Sequence, residues 1–319
     1  MRANDFHRWL LQADELTPSQ RQQVLEWFNQ EHRPEDVIRS IVDAEPSCPY
    51  CHHRSCGHWG NAHGLPRYRC NICQRTFNAL TGTPLAHLRH RECWPMYAQA
   101  LIEGTTVREA ARRCGIHKNT SFRWRHRFLA WPAQSKPQHL HGIVEADETY
   151  FLESHKGERD LPRPARKRGG VAAKRGLSEE QIPVLIARDR STRTTDAVLE
   201  KADTQAIRAV LEPLVDPDAV LCSDGSAIYR AFSEQVHLVH KPINLSAGIR
   251  VVDHAFHIQN VNAYDSRLKT WMARFHGVAT KYLPNYLGWR RCLERFAETL
   301  TPSLFLAQAI EGDQHLMQT

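Results

Sequence analysis

From His141 to Phe151 the chain reads HGIVEADETYF. Apolar and polar positions alternate, so Val144, Ala146 and Glu148 share one face of a strand and Ile143, Glu145 and Asp147 the other. Two more strand-like runs follow, QIPVLIARDR from Gln181 and TTDAVLEK from Thr194, which suits an antiparallel series. DTQAIRAVLEPLV then changes to a helical period, with Asp203 or Thr204 as its cap. AVLCSDGSAIYRAF opens as a buried strand ending at Asp224, where Gly225 supplies the exit turn. VHLVHK gives a fifth short strand, and a long helical stretch begins near His257. Three strands, a helix, a strand, another strand and a final helix make the order of an α/β RNase H-like mixed-sheet domain.

The pattern before this domain is different. Residues 1–45 read as helical (SQRQQVLEWFNQ, PEDVIRSIVD) with a break at Pro34. In EGTTVREAARRCGIHKNTSFRWRHRFLA, Val107, Ala110, Ala111 and Cys114 fall at helical spacing and Gly115 supplies a turn. Asn119 or Thr120 can cap a second helix carrying Arg123, Arg125 and Arg127, with Trp124 and Phe128 packing inward. Leu101 to Ala130 holds seven basic and two acidic residues, the charge pattern of a helix-turn-helix with a basic recognition helix. The bland alternative is a helical hairpin with a solvated basic face. WPAQSKPQHLHG, rich in Pro and polar residues, marks a domain boundary.

Composition adds a weak pointer to an anionic partner: 42 Lys and Arg stand against 35 Asp and Glu, for a net charge of +7. No stretch approaches the roughly 18 to 20 apolar residues of a membrane span, and the start lacks the apolar centre of a signal peptide. A cytoplasmic protein with reduced thiols is expected, which argues against a disulfide scaffold for its nine cysteines. Cys48-x2-Cys51, eighteen residues, then Cys70-x2-Cys73 is the spacing of a four-cysteine zinc ribbon, with RYRC and RTFN as a short hairpin carrying the second pair. Four protein ligands leave no open position, so zinc here would be structural.

Asp147 on the first strand of the α/β domain and Asp224 at the end of the fourth are positions that the RNase H-like order makes neighbours. Two adjacent carboxylates repel unless a cation bridges them, and hard oxygen ligands select Mg²⁺ or Mn²⁺ over zinc. From Lys156 to Arg175, eight basic and two acidic residues form a Pro- and Gly-containing loop beside Asp147, including Lys167 and Arg168. Such a loop would neutralise phosphates flanking a scissile bond.

ADETYF, CSDGSAIYRAF, HIQNVNAYDSRLKTWMARFHGVATKYLPNYLGWRRC and the ribbon's RYRCNICQRTFNALTGTPL together resemble bacterial insertion-sequence transposases with an N-terminal zinc ribbon and an ISXO2-like catalytic domain. The similarity covers roughly residues 45 to 295. It implies a metal site of Asp147, Asp224 and a third residue opening the last core helix, where the family pattern falls on Asn262, with Lys269 trailing seven residues later. Asn262 is a weaker ligand than a carboxylate. Asp265 one turn on, or Asp253 before the helix, are the alternatives, and His257 is a weaker candidate for the same pocket.

The resulting expectation is a multidomain chain: a helical segment over 1–45, a zinc ribbon over 46–84, a helix-turn-helix over 85–132, a linker over 133–142, a catalytic domain over 143–295 and a tail over 296–319. It would bind the terminal inverted repeats of its own element and target DNA, cleave 3′ ends with Mg²⁺ or Mn²⁺, and assemble as a dimer or higher oligomer. The rival readings are a catalytically inactive DNA-binding regulator and a structure-specific nuclease on the same fold.

Overall fold

The computed structural model describes Leu16, Thr17, Ser19 and residues 46–161, 163–166, 170, 172–173, 178–297 and 299–311. The helices expected before Pro46, and Lys167 and Arg168, lie outside the described residues. The chain divides into two compact units, Met1–Phe128 with Leu300–Thr319, and Leu129–Thr299.

The first unit opens on a three-stranded antiparallel sheet, β1 (Cys56–Ala62), β2 (Leu65–Cys70) and β3 (Thr76–Phe77), in that order. His63 and Gly64 connect β1 to β2 with φ of 53° and 75°, the two left-handed residues that a tight hairpin turn of matching twist demands. The RYRC–RTFN hairpin is present, Tyr68 facing Phe77 across β2 and β3.

Three helices follow: α1 (Trp94–Ile102), α2 (Val107–Arg113) and α3 (Lys118–Phe128). The Thr106 side chain caps α2 by accepting from the Glu109 amide, and Gly115 turns the chain at φ 61°. α3 begins one to two residues before the expected Asn119 or Thr120 cap, because the His117 ring accepts the Asn119 amide instead. Trp94, Tyr97, Trp124 and Phe128 form the aromatic core of this bundle, Tyr97 and Trp124 meeting edge to face at 5.2 Å. Residues 296–319 were expected as a tail, but Pro302–Glu311 form a fourth bundle helix packed on α1, burying Phe305, Leu306, Ala309 and Ile310.

The second unit starts earlier than the expected linker end. A short helix, α4 (Ala130–Gln134), and the buried Leu140, which exchanges backbone hydrogen bonds with Leu214 and Asp216, already belong to it. Its sheet holds β4 (Ile143–Leu152), β5 (Gln181–Asp189), β6 (Thr194–Val198), β7 (Val220–Ser223) and β8 (Val239–Pro242) in the order β6-β5-β4-β7-β8. The first three strands pair antiparallel, while β4–β7 and β7–β8 are parallel. That is the RNase H-like arrangement the element order implied.

Helices α5 (Thr204–Leu211) and α6 (Ala227–Val236) cover one sheet face, where Val144, Ala146, Leu185, Ile207, Leu211, Tyr229 and Phe232 form the main core. Asp203 caps α5 by accepting from the Ala206 amide at 2.9 Å. Helix α7 (Gln259–Ala273) packs on β4 and β5, and α8 (Leu283–Arg295) packs on β6 and α4. The buried Arg291 of α8 pairs with Asp196 of β6 and donates to the carbonyls of Pro132 at 2.7 Å and Ser135 at 3.0 Å, so its charge is fully compensated. With helices on both sides, alternation along β4 sorts side chains between two packed layers rather than between core and water.

Candidate functional site

The parallel ladder between β4 and β7 brings the two strand carboxylates together. Ile143 opposes Val220, Val144 opposes Leu221 and Glu145 opposes Cys222; continuing the register by two residues sets Asp224 beside Asp147. Gly225, at φ 85°, ends the strand, and the Asp224 carboxylate accepts the Ser226 amide at 2.9 Å, which fixes its direction at the start of α6. Asp147 accepts the amide of Glu148 at 2.9 Å.

Burial pushes the Asp147 carboxyl up to about 6, with repulsion from Asp224 adding to it and Lys269 opposing it. Its neighbour Glu148 is pushed up to about 7 by burial and by the charges of Asp147 and Asp224, although the Tyr229 hydroxyl donates to it at 2.6 Å. From α7, Asp265 is pushed up to about 7, mainly by burial and then by Asp147 and Glu148, while Lys269 pulls it down. One turn earlier on the same helix face lies half-buried Asn262. Asp147, Glu148, Asp224, Asp265 and Lys269 therefore act on one another electrostatically, on three elements of one unit.

Asp265 Oδ1 is buried with no hydrogen-bond partner. A buried, unpartnered carboxylate oxygen beside two carboxyls held toward neutrality chiefly by burial, and further by their repulsion, suits a hard divalent cation. Carboxylate and amide oxygens of this kind are the hard donors that Mg²⁺ or Mn²⁺ takes.

Two other candidates fall elsewhere. Asp253 is ion-paired with Lys241 at 2.8 Å, and His257 lies 3.3 Å from the buried Glu145. Glu148 was missed in the sequence because its partner Tyr229 stands 81 residues away on α6, and nothing in ADETYF distinguishes it from a solvated strand residue. Asp265 was legible only as an alternative, since helical spacing puts it and Asn262 on one face without saying which is buried.

In the first unit, the sulfur atoms of Cys48, Cys51, Cys70 and Cys73 lie within 4.8 Å of one another. The Cys48–Cys73 and Cys51–Cys70 pairs are each 3.5 Å apart, and all nine cysteines are free thiols. Backbone amides at Cys73 and Ile72 point at Cys70 and pull its thiol down to about 6, toward the thiolate a metal needs. This is a four-sulfur cluster able to hold a metal ion. Cys56 faces Cys70 across the β1–β2 ladder and stays outside it.

On α3, Arg123 and Arg127 are exposed, four residues apart on one face. Arg125 corrects the sequence reading: it is fully buried and donates to the Thr105 carbonyl at 2.8 Å. Helical geometry turns it about 200° from either neighbouring arginine, into the seam between α3 and the turn before α2. It is a core residue of the bundle rather than a surface contact.

Residues 139–290 match the ISXO2-like transposase domain and residues 96–130 a homeodomain-like domain. Over 247 residues the chain is 29% identical to a protein of the transposable element ISH50 from Halobacterium salinarum, covering 75% of this chain and 82% of that one. Among solved structures, a chain of the simian T-cell lymphotropic virus intasome in complex with PP2A regulatory subunit B56 gamma is similar at 10% identity and a TM-score of 0.31, covering 52% of each chain. The Mos1 transposase in its paired-end complex with the left transposon end is similar at 13% identity and a TM-score of 0.28, covering 68% of this chain and 74% of that one. This chain is thus similar to the ISXO2-like transposase domain over residues 139–290 and to a homeodomain-like domain over the preceding residues 96–130.

Proposed function

We propose that this chain is the DNA transposase of an insertion sequence, binding the element's terminal inverted repeats, cleaving their 3′ ends and joining them to target DNA. The observation that carries the reading is that Asp147 acts electrostatically on both Asp224 and Asp265 within residues 139–290, which match the ISXO2-like transposase domain. The similarity to the ISH50 protein supports it.

In this reading Asp147 and Asp224 hold the metal from the sheet and Asn262 and Asp265 hold it from α7. Two Mg²⁺ or Mn²⁺ ions so bound would activate an attacking oxygen and stabilise the departing one in phosphoryl transfer. Tyr229 keeps Glu148 turned toward α6, so Glu148 adds negative charge to the pocket from its rim. Lys269, exposed and trailing the ligand turn, is placed to contact the phosphate next to the scissile bond. Cleavage leaves a 3′-hydroxyl, which attacks target DNA in line with no covalent protein intermediate.

The four-thiol cluster takes Zn²⁺ as a structural ion, and Arg123 and Arg127 on α3 contact DNA. Lys167 and Arg168 from the basic loop add phosphate contacts. Two ends must be held at once, so two or more copies act together.

Strand cleavage of end-containing duplexes with Mg²⁺ or Mn²⁺ tests this. Asp147→Ala and Asp224→Ala should each stop cleavage while end binding persists. A wild-type chain that binds ends yet cuts none with either metal would move the reading to a non-cutting regulator.

A further inference from the structure

Helix α7 carries the third side of the metal site, and what holds its first turn is unusual. The residue preceding it, Ile258, offers no side-chain cap. The first-turn amides, which have no partner within a helix, are met from another element. Glu145 of β4, fully buried, accepts the Asn260 amide at 2.8 Å and the Val261 amide at 3.0 Å through Oε2. Its Oε1 accepts the Asn260 side chain at 3.0 Å and pairs with Arg190 at 2.6 Å, with the His257 ring 3.3 Å away. Arg190 also donates to the Ala255 carbonyl at 2.9 Å, tying down the chain that leads into α7.

Glu145 and Asp147 are two residues apart on one strand and so point to the same side of the sheet. The carboxylate that grips the start of α7 is thus on the same strand face as the first metal ligand. Asn262 and Asp265 follow the capped amides by one and four residues from Val261. A negative charge at a helix N-terminus is favoured by the helix dipole, and four donors converging on one carboxylate leave it little freedom.

Resting on the transposase reading above, we propose that Glu145 is a positioning residue of the metal site. It fixes the height and rotation of α7 against β4, and so sets how tightly Asp147, Asp224 and the Asn262–Asp265 turn hold a divalent cation. It takes no part in contacting the ion or the DNA.

The test compares wild type, Glu145→Gln and Glu145→Ala as full-length zinc-loaded chains. Mn²⁺ is titrated and free ion read by electron paramagnetic resonance, so no cleavage is needed. Removing such a supporting contact weakens metal binding by about tenfold or more. Glu145→Gln keeps an acceptor but loses the charge, so its half-saturating Mn²⁺ concentration should rise about tenfold, and that of Glu145→Ala further. Hydrogen exchange at the Asn260 and Val261 amides should accelerate in the same order. Ile207→Val, which trims the core on the opposite sheet face, should lower the melting temperature without moving the Mn²⁺ curve. Should neither Glu145 variant melt cooperatively, Asn260→Ala removes a single bond to the carboxylate and should shift the curve the same way by less. Wild-type Mn²⁺ affinity in folded variants overturns the inference alone. A wild-type chain that binds no Mn²⁺ overturns the metal reading of the site and the inference with it.

Discussion

Asp265→Asn offers a sharp test of the pocket's electrostatics. Asp265 is 8% exposed, and burial and the charge of Asp147 push its carboxyl from 3.8 up to about 7. Between those values the fold binds a proton that the unfolded chain has lost, so stability without divalent metal falls as pH rises from about 4 to about 7. One pKa unit is about 1.36 kcal/mol, so going from pH 5 to pH 8 costs roughly 3 kcal/mol through this group. Asn keeps the shape and cannot ionise. The variant should therefore gain about 3 kcal/mol on wild type across that interval, or about 6 to 12 °C in the difference of melting temperatures for a unit of this size. Melts of zinc-loaded chains without added Mg²⁺ or Mn²⁺, at pH 5 and pH 8, measure it. Adding Mn²⁺ at pH 8 should raise the wild-type midpoint and do far less for the variant, because the ion compensates a charge that Asn lacks. Parallel wild-type and variant melts from pH 5 to pH 8 would refute the argument, since Asp265 would then titrate normally and lie outside the pocket.

Three further outcomes are expected. Metal analysis of reduced protein should give one zinc per chain, and Cys70→Ser should lose it, while a chain purified without zinc and still folded would sink the assignment. Arg123→Ala with Arg127→Ala should weaken end binding and lower the slope of log affinity against log salt by about 2, whereas Arg125→Ala should chiefly lower the melting temperature; equal salt slopes for wild type and the double variant would place the DNA surface elsewhere. A methyl group on Gly288 of α8 would overlap the Pro132 carbonyl and the Ala133 amide of α4, so Gly288→Ala should cost about 2 kcal/mol or more in a thermal melt, and an unchanged midpoint would contradict that packing.

Much of this molecule is written in local patterns. Strand alternation in HGIVEADETYF, the paired CxxC knuckles and the cap at Asp203 are each set by neighbours a few residues apart, and the structure has all three. The sheet order followed from the sequence of elements, which admits few connections. What stayed hidden depends on partners far along the chain. Arg125 looks like its neighbours Arg123 and Arg127 until the Thr105 carbonyl, twenty residues back, is in place to receive it. Glu145 reads as an ordinary strand acid, because its partners at 190, 257 and 260 are assembled only by the tertiary fold. The choice between Asn262 and Asp265 turns on rotation of α7, which that distant carboxylate sets. The helix Pro302–Glu311 has its start signals, Thr301 accepting the Leu304 amide at 3.1 Å and Pro302 in its first position, and its packing on α1 comes from a bundle that begins about two hundred residues earlier.

The parallel pairing of β4 with β7 has a consequence for synthesis. The residues of the pocket run from Asp147 to Asp265, 118 positions apart, and no subset from one end of that interval forms it. At about 5 to 20 residues per second, a ribosome needs roughly 6 to 24 seconds after making β4 before α7 exists. Through that time the residues of α3, Arg123 and Arg127 among them, have already been made, while the last helix of their bundle, Pro302–Glu311, has not. The order of synthesis thus puts the helix that carries Arg123 and Arg127 ahead of the acidic pocket.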